Sequence, residues 1–174
     1  MGLGIRPARP DDEDVILEIV NAAAEKYRGV IPADRWHDPY MGREELRGEI
    51  AKGVAFSVCE LDGEVVGAMG IQPVRNVDLV RHAYVRPDRQ GSGIGRALME
   101  HLKRGASRQV LVGTWAAATW AIQFYERNGF GLVDDEAKTL LLKTYWTIPE
   151  RQIETSVVLA APTLTLDEAR RLAG

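Results

Sequence analysis

The sequence predicts a mixed α/β domain in which a central sheet of about seven strands is flanked by helices. Predicted elements follow the order β, α, α, β, β, β, α, β, α, β and β, with a late helix. The 174 residues suit one domain, and 45% are hydrophobic, enough for one continuous core. The dipeptide Asp62-Gly63 between two apolar runs supplies the positive φ angles of a tight hairpin, so the first half of the sheet is predicted to be antiparallel.

Elements of the N-terminal half follow from apolar spacing and from the residues that begin or end each pattern. Asp11 or Asp12 can cap a first helix, whose apolar residues recur at helical spacing until Gly29 ends it. Pro32 and Pro39 interrupt the next segment, which is therefore predicted as a loop. The remaining predictions are a strand over 4–8, a helix over 43–52, and strands over 54–60, 64–71 and 78–85.

Elements of the C-terminal half alternate between helix and strand. A helix over 94–106 turns Leu98, Met99 and Leu102 inward, and Gly129 can take the left-handed conformation that closes a later helix. The other predictions are a strand over 109–114, a helix over 119–128, a strand over 130–133, a helical insertion within 134–149, a strand over 152–160 and a C-terminal helix over 165–172. Residues 1–174 are predicted to form a single domain.

Composition and charge argue against several classes of protein. Lys and Arg total 22 against 25 Asp and Glu, so a net charge of −3 gives no basic field for nucleic acid or anionic membranes. The single cysteine, Cys59, excludes an internal disulfide and is expected in the core. No apolar run approaches the roughly 20 residues of a spanning helix, and the N-terminus lacks an apolar signal region. We expect a cytoplasmic protein with no nucleic-acid or membrane partner.

A glycine-rich segment stands between the strand over 78–85 and the helix that follows. It reads Gln90, Gly91, Ser92, Gly93, Ile94, Gly95. Its glycines free the backbone of Cβ atoms, so N–H groups can converge on a diphosphate at the positive end of the helix; a flexible turn with a helix cap is the alternative. The segment does not match the dinucleotide-binding fingerprint, which needs glycines three positions apart, because Gly93 and Gly95 are two apart. It does not match a P-loop, which needs lysine and then serine or threonine after the glycine, because Arg96 and Ala97 follow Gly95.

Two motifs in this part of the chain resemble the GNAT superfamily of acetyltransferases. Gln90, Gly93 and Gly95 match its (Arg/Gln)-x-x-Gly-x-(Gly/Ala) pattern, and residues 83–87 resemble the end of its fourth strand. Residues 121–130, which contain Phe-Tyr and a later Gly-Phe pair, resemble its second signature. The resemblance covers residues 5–133 in element order and 84–130 in residue detail.

The resemblance implies acetyl-CoA as the donor cosubstrate. Its pyrophosphate would lie on the glycine-rich segment, and its pantetheine arm would bond to exposed backbone of the fourth strand. Ala118 stands where the family often has an asparagine, and Thr119 could substitute by capping the helix and donating from its hydroxyl. The implied donor-binding residues are Ala83, Tyr84, Val85, Gln90, Gly91, Ser92, Gly93, Ile94, Gly95, Arg96, Thr119 and Phe124.

The resemblance also implies catalytic roles, because acyl transfer needs a stabilised oxygen and a proton for the departing thiolate. A backbone N–H near Val85 would contact the oxygen, and Tyr125 would protonate the thiolate. An ordinary packing role is the alternative for Tyr125. No metal site is predicted.

The general base is left open by the sequence. Leu79 stands where many family members carry a glutamate, and the candidates are Asp78, His82, His37 or a chain of water molecules. A histidine side chain can exchange a proton near neutral pH, but a regular strand would point His82 to the face opposite Leu79 unless a β-bulge shifts the register.

The predicted activity is transfer of the acetyl group from acetyl-CoA to a primary amine of a small molecule or peptide. A noncatalytic acyl-CoA-binding sensor or scaffold is the alternative. The apolar segment 134–149 could cover the active site or form a homodimer interface. The aromatic residues that could line an acceptor pocket, or serve as ordinary core contacts, are Trp36, His37, Tyr40, Trp115, Tyr145 and Trp146.

Overall fold

The chain forms a seven-stranded mixed sheet with helices, in a computed structural model that describes residues 2–174. The strands are β1 (Leu3–Pro7), β2 (Ala55–Leu61), β3 (Glu64–Val74), β4 (Val77–Val85), β5 (Gln109–Trp115), β6 (Gly131–Leu132) and β7 (Ser156–Ala161). The helices are α1 (Glu13–Ala24), α2 (Arg43–Ala51), α3 (Ile94–Gly105), α4 (Thr119–Arg127), α5 (Asp135–Tyr145), α6 (Glu150–Glu154) and α7 (Leu166–Ala173). The strand order is β1-β2-β3-β4-β5-β7-β6, which confirms the predicted fold class.

The described residues divide into two compact units. The first unit runs to Gln72 and includes Val80–Gly105, and the second comprises Pro73–Leu79 and Ala106–Gly174. Strand β4 therefore contributes residues to both units. None of the helices that residues 2–174 form combines the length and the apolar character needed to cross a membrane.

The first unit is built on an antiparallel hairpin. Strands β2 and β3 pair up to Leu61 and Glu64, with Asp62 at φ 52° and Gly63 at φ 84°, so the predicted tight turn is present. Apolar residues of α1, α2, β2 and β3 form one buried cluster. Cys59 is fully buried in β2, and this burial raises the pKa of its thiol, as suits a core residue.

An ion pair links β1 to the start of α1. The Arg6 guanidinium donates to both carboxylate oxygens of Asp12, at 2.7 and 3.0 Å, and the Arg9 backbone N–H also donates to Asp12, at 2.6 Å. The hydrogen bonds from Arg6 hold the pKa of Asp12 below its usual range, against the opposing effect of burial.

We expect Asp12→Asn to lower the free energy of unfolding by about 1–2 kcal/mol at pH 7, because the charged acceptor of these bonds is lost. Because the pKa of Asp12 is lower in the folded protein than in the unfolded chain, its ionised form stabilises the fold above the ordinary Asp pKa of about 3.9. This stabilisation is lost as the pH falls through the pKa that Asp12 has in the folded protein. The free energy of unfolding in urea, measured at pH 7 and pH 3, checks this prediction. Asp11→Asn is the control, because Asp11 is the exposed neighbour of Asp12. An equal loss at both pH values would contradict the charge-based explanation.

The second unit combines parallel and antiparallel pairing. Strand β5 pairs antiparallel with β7. It also pairs parallel with β4, where Val77 lies opposite Gln109 and Leu79 lies opposite Leu111. Strand β4 continues beyond this pairing to Val85. Helix α5 buries Leu141 and Leu142 in a core that also contains residues of β5, β7 and α7. Leu141 and Leu142 of the apolar segment 134–149 therefore pack within this unit.

The predicted strand over 152–160 is wrong in its first half. The short helix α6 ends at Glu154, and β7 begins only at Ser156. Pro149 stands at the N-cap of α6 in an extended conformation, and the glutamate, arginine and glutamine after it are good helix formers. Ile153 is the buried residue of this helix, and the β-branched pair Val157 and Val158 lies in β7.

Candidate active site

The glycine-rich loop adopts a backbone that requires glycine at two positions. Gly91 and Gly93 have φ values of 80° and 85°, whereas Gly95 lies inside α3, which begins at Ile94. A Cβ atom added at Gly91 or Gly93 would meet no heavy atom within 4 Å, so both glycines border open space. Exposed N–H groups next to a helix N-terminus fit an anion such as a phosphate group.

Side chains around this loop support its backbone. The Gln90 side-chain amide donates to the Val85 carbonyl at 3.3 Å, and the Ser92 hydroxyl donates to the Arg89 carbonyl. Arg96 is 75% exposed and pairs with Glu100 one turn further along α3, at 2.9 Å. Arg96 can therefore turn toward an anion at the cost of only a weak surface ion pair.

The start of α3 is held against β3 by close packing. Ile94 and Leu98 are buried, and a Cβ added at Gly67 would lie 2.9 Å from Ile94 Cγ2 and 3.1 Å from Leu98 Cδ1. A larger residue at Gly67 would thus require the Ile94 and Leu98 side chains to shift. Sequence reasoning missed Gly67, although a glycine within an apolar strand is a signal of close approach.

Strand β4 contains one residue in the left-handed region. His82 has φ 54°, a conformation that histidine tolerates better than most residues and that interrupts strand geometry as a β-bulge does. The His82 ring stacks on Phe56 at 6.0 Å between centroids, and its Nε2 lies 2.9 Å from Glu49 Oε2. The backbone of β4 is therefore irregular at His82.

Glu49 is the residue that sequence reasoning missed most completely. It lies in the last turn of α2, and its Oε2 also accepts from Arg81 Nη2 at 2.9 Å. The hydrogen bond with His82, aided by the charge of Arg81, lowers the pKa of Glu49 despite its partial burial. Glu49 is 33 residues from His82 in the chain, and no local motif connects the two.

The other candidate bases have different environments. Asp78 is buried in the second unit, where its Oδ1 accepts from Arg108 Nη2 at 2.7 Å. His37 is exposed, and its Nδ1 lies 2.8 Å from the Pro39 carbonyl. The Asp78 carboxylate is thus held by an arginine, whereas His37 lies on the surface.

Three of the predicted acceptor-site aromatics come together in the first unit. Tyr40 packs against Trp36, His37 and Tyr84, with ring centroids 5.4, 6.5 and 6.4 Å apart respectively. The Tyr84 and Tyr40 hydroxyls are 3.5 Å apart, and burial raises the pKa of Tyr40. The Arg28 guanidinium lies over the Trp36 ring at 4.6 Å. This cluster joins the loop before α2 to β4.

Two other predicted pocket aromatics belong to the core of the second unit. Tyr145 is buried and donates its hydroxyl to Asn76 Oδ1 at 2.8 Å. The Trp146 ring lies 3.4 Å from the position that a Cβ of Gly113 would occupy. Both residues therefore serve as core contacts within the second unit.

Helix α4 of the second unit carries the remaining predicted residues. Tyr125 is only 8% exposed, and its ring makes edge contacts with Phe124 at 5.4 Å and Phe130 at 5.8 Å. The predicted capping role of Thr119 is wrong: Ala118 is the N-cap residue, and Thr119 is the exposed first residue of the helix. Thr119 therefore lies one residue after the N-cap position.

Comparison with known proteins identifies the family to which this chain is similar. Residues 52–131 match the acetyltransferase (GNAT) domain. An N-acetyltransferase of Methanocaldococcus jannaschii, itself uncharacterized, is 30% identical over 144 residues, which cover 72% of this chain and 59% of the relative. The chain belongs to the GNAT superfamily. It spans only 59% of the length of that curated relative.

Solved GNAT structures have the same fold. PaiA N-acetyltransferase from Thermoplasma acidophilum, solved with coenzyme A, gives a TM-score of 0.68 at 17% identity, over 92% of this chain and 99% of that one. A GNAT family acetyltransferase from Brucella melitensis, solved with acetyl-CoA, gives 0.56 at 28% identity, over 75% of this chain and 83% of that one. The recognition of the GNAT superfamily from sequence motifs is confirmed, and the ligands of these relatives agree with the predicted donor.

Proposed function

We propose that this GNAT protein transfers the acetyl group of acetyl-CoA directly to a primary amine, with no covalent enzyme intermediate. The observation that carries the proposal is the exposed loop at the start of α3, where left-handed Gly91 and Gly93 leave open space for a phosphate group. The pairing of His82 with Glu49 adds a group able to accept a proton.

Donor binding is assigned to two groups of residues. Backbone N–H groups of the loop and the Arg96 guanidinium would hold the pyrophosphate, and exposed backbone of β4 would bond the amide-containing arm as an added strand would. Acetyl-CoA supplies the activated thioester. The residues assigned to the donor are Ala83, Tyr84, Val85, Gln90, Gly91, Ser92, Gly93, Ile94, Gly95, Arg96, Thr119 and Phe124.

His82 is assigned as the general base. It removes a proton from the acceptor ammonium, which frees the nitrogen lone pair for attack. Its ring is partly exposed, since 16% of the side chain is accessible, whereas the side chain of Asp78 is 8% accessible and ion-paired. The contact of Nε2 with Glu49 leaves the second ring nitrogen for a substrate, which supports this assignment.

The acetyl transfer also needs a group that stabilises the carbonyl oxygen and a group that protonates the sulfur. The amine nitrogen bonds to the thioester carbonyl carbon, the carbon–sulfur bond breaks with its electron pair on sulfur, and the products are an amide and the coenzyme thiol. The Val85 backbone N–H would stabilise the carbonyl oxygen as it gains charge, and the Tyr125 hydroxyl would give its proton to the departing sulfur. The second proton, which the nitrogen loses as the amide forms, would restore the Tyr125 hydroxyl.

The acceptor is proposed to be an amine on a small molecule or peptide that contacts the aromatic cluster of Trp36, His37 and Tyr40. Aromatic faces bind alkyl chains, rings and cations, so the cluster suits an amine with an apolar or cationic body. The cytoplasm, which holds both acetyl-CoA and amines, is the proposed compartment.

The test is the appearance of free thiol from acetyl-CoA in the presence of a panel of primary amines. We expect thiol release with at least one amine and a matching gain of 42 Da, about the mass of an acetyl group less a proton, on that amine. Acetyl-CoA binding without thiol release from any amine would instead support a noncatalytic acyl-CoA-binding module.

Gly93→Val provides the matched variant for the donor site. A β-branched residue is strained at φ 85°, so the loop must change conformation, and we expect KM for acetyl-CoA to rise about tenfold. Gly4→Val is the control, because Gly4 also borders open space but lies in strand β1 without a positive φ. Equal KM values for the two variants would remove the loop from donor binding.

A further inference from the structure

A chain of hydrogen bonds surrounds His82 in the first unit. Glu49 Oε2 lies 2.9 Å from His82 Nε2 and 2.9 Å from Arg81 Nη2. Arg81 Nη1 donates to Gln72 Oε1 at 2.9 Å, and Gln72 Nε2 donates to the Lys52 carbonyl at 3.1 Å. The Glu49 carboxylate is thereby fixed from two sides, with 15% of its side chain exposed.

The position of Glu49 in its helix is electrostatically unfavourable on its own. A carboxylate in the last turn of a helix faces the negative end of the helix dipole. The bonds from His82 and Arg81 compensate, and they hold the pKa of Glu49 low enough for the group to stay ionised at neutral pH. Leu46, three residues earlier on the same helix face, is fully buried and anchors this side of α2.

The ionised carboxylate determines which ring nitrogen of His82 carries the proton. A carboxylate can only accept hydrogen bonds, so the 2.9 Å contact requires a proton on Nε2. In the neutral ring, Nδ1 is then the nitrogen with a free lone pair. The contact with Phe56 and the backbone at φ 54° restrict the ring further.

We infer that Glu49 is a positioning residue for acetyl transfer, which holds His82 with its proton on Nε2 and leaves Nδ1 to accept the proton of the amine. The inference rests on the proposed function, since it assigns the residue that prepares the base. The charged groups that face the ring are Glu49 from α2 and Arg81 from β4, with Lys52 acting on Glu49 at the end of α2. Arg81 keeps Glu49 ionised while its own side chain bonds to Gln72.

A structural role is the competing explanation, because the same bonds also tie α2 to β3 and β4. The two roles differ in what Glu49→Gln changes. A purely structural Glu49 would lose stability on substitution, but the folded variant would keep both its turnover and the tautomer of its histidine. A positioning Glu49 would lose the preference for a proton on Nε2 and would lose turnover with it.

The experiment combines nitrogen NMR of the histidine rings with steady-state kinetics. The protein has three histidines, so the His82 signals in ¹⁵N-histidine protein are assigned by their absence from His82→Asn. At alkaline pH we expect wild-type His82 to carry its proton on Nε2, and Glu49→Gln to show both tautomers. We expect kcat of Glu49→Gln to fall about tenfold or more, with KM for acetyl-CoA within about twofold.

Glu45→Gln is the control, because Glu45 is an exposed glutamate one turn earlier on α2; it should match wild type in both measurements. A wild-type His82 with its proton on Nδ1, or a folded Glu49→Gln with wild-type kcat, would overturn the inference. If wild-type protein releases no thiol with any amine, the proposed function fails, while the NMR result still decides whether Glu49 sets the tautomer.

Discussion

Replacing His82 with asparagine is expected to lower kcat by about 100-fold or more, while KM for acetyl-CoA changes by less than about threefold. The amine acceptor is protonated near neutral pH, and asparagine cannot take its proton. Asparagine is chosen because it tolerates the left-handed backbone found at φ 54°, so the loss reflects proton transfer and not a refolded strand. Steady-state kinetics with the best amine of the panel measure both constants.

His37→Asn is the matched control for this prediction. His37 is exposed and contacts the Pro39 carbonyl and the Tyr40 ring, so its loss should affect KM for the amine more than kcat. Recovery of the His82→Asn rate at high pH, where more of the amine is already deprotonated, would support the role of His82 in removing that proton. A His82→Asn enzyme with wild-type kcat would eliminate His82 as the base.

Replacing Tyr125 with phenylalanine is expected to lower kcat about 10- to 100-fold and to leave binding of acetyl-CoA nearly unchanged. The substitution removes one oxygen atom and keeps the ring that contacts Phe124 and Phe130. Loss of the proton donor slows departure of the sulfur, so the effect should be smaller for donors with a more acidic thiol. Calorimetric binding of coenzyme A and steady-state kinetics separate the two quantities.

Tyr145→Phe is the control for the tyrosine substitution, because Tyr145 is also buried but serves the core of the second unit. Its hydroxyl donates to Asn76 Oδ1 at 2.8 Å, so its removal should lower stability by about 1 kcal/mol and leave kcat unchanged. Full turnover in Tyr125→Phe would return Tyr125 to an ordinary packing role.

Local chemistry made much of the fold and one part of the site predictable from sequence. Asp62 and Gly63 have the positive φ angles expected of the hairpin turn. The glycines of the loop, Gly91 and Gly93, are left-handed immediately before α3, as an anion-binding loop requires. In each case the residue type itself restricts the backbone, so the inference needed no knowledge of distant parts of the chain.

The features that escaped prediction depend on contacts between distant residues. Glu49 shares no motif with His82, because only the packing of α2 against the sheet brings them together. The left-handed conformation of His82 has no signature within β4, where a regular strand was predicted. Helix α6 escaped because its five residues give too short a pattern to distinguish a helix from a strand.

The backbone at His82 also bears on how this position can vary. A φ of 54° is comfortable for glycine, asparagine, aspartate and histidine, and costly for most other residues. Among these four, histidine alone combines that tolerance with a side chain that gains and loses a proton near neutral pH. Selection for folding alone would allow any of these four residues at position 82, whereas selection for turnover would retain histidine. Natural variation at position 82 therefore shows which of the two pressures acts.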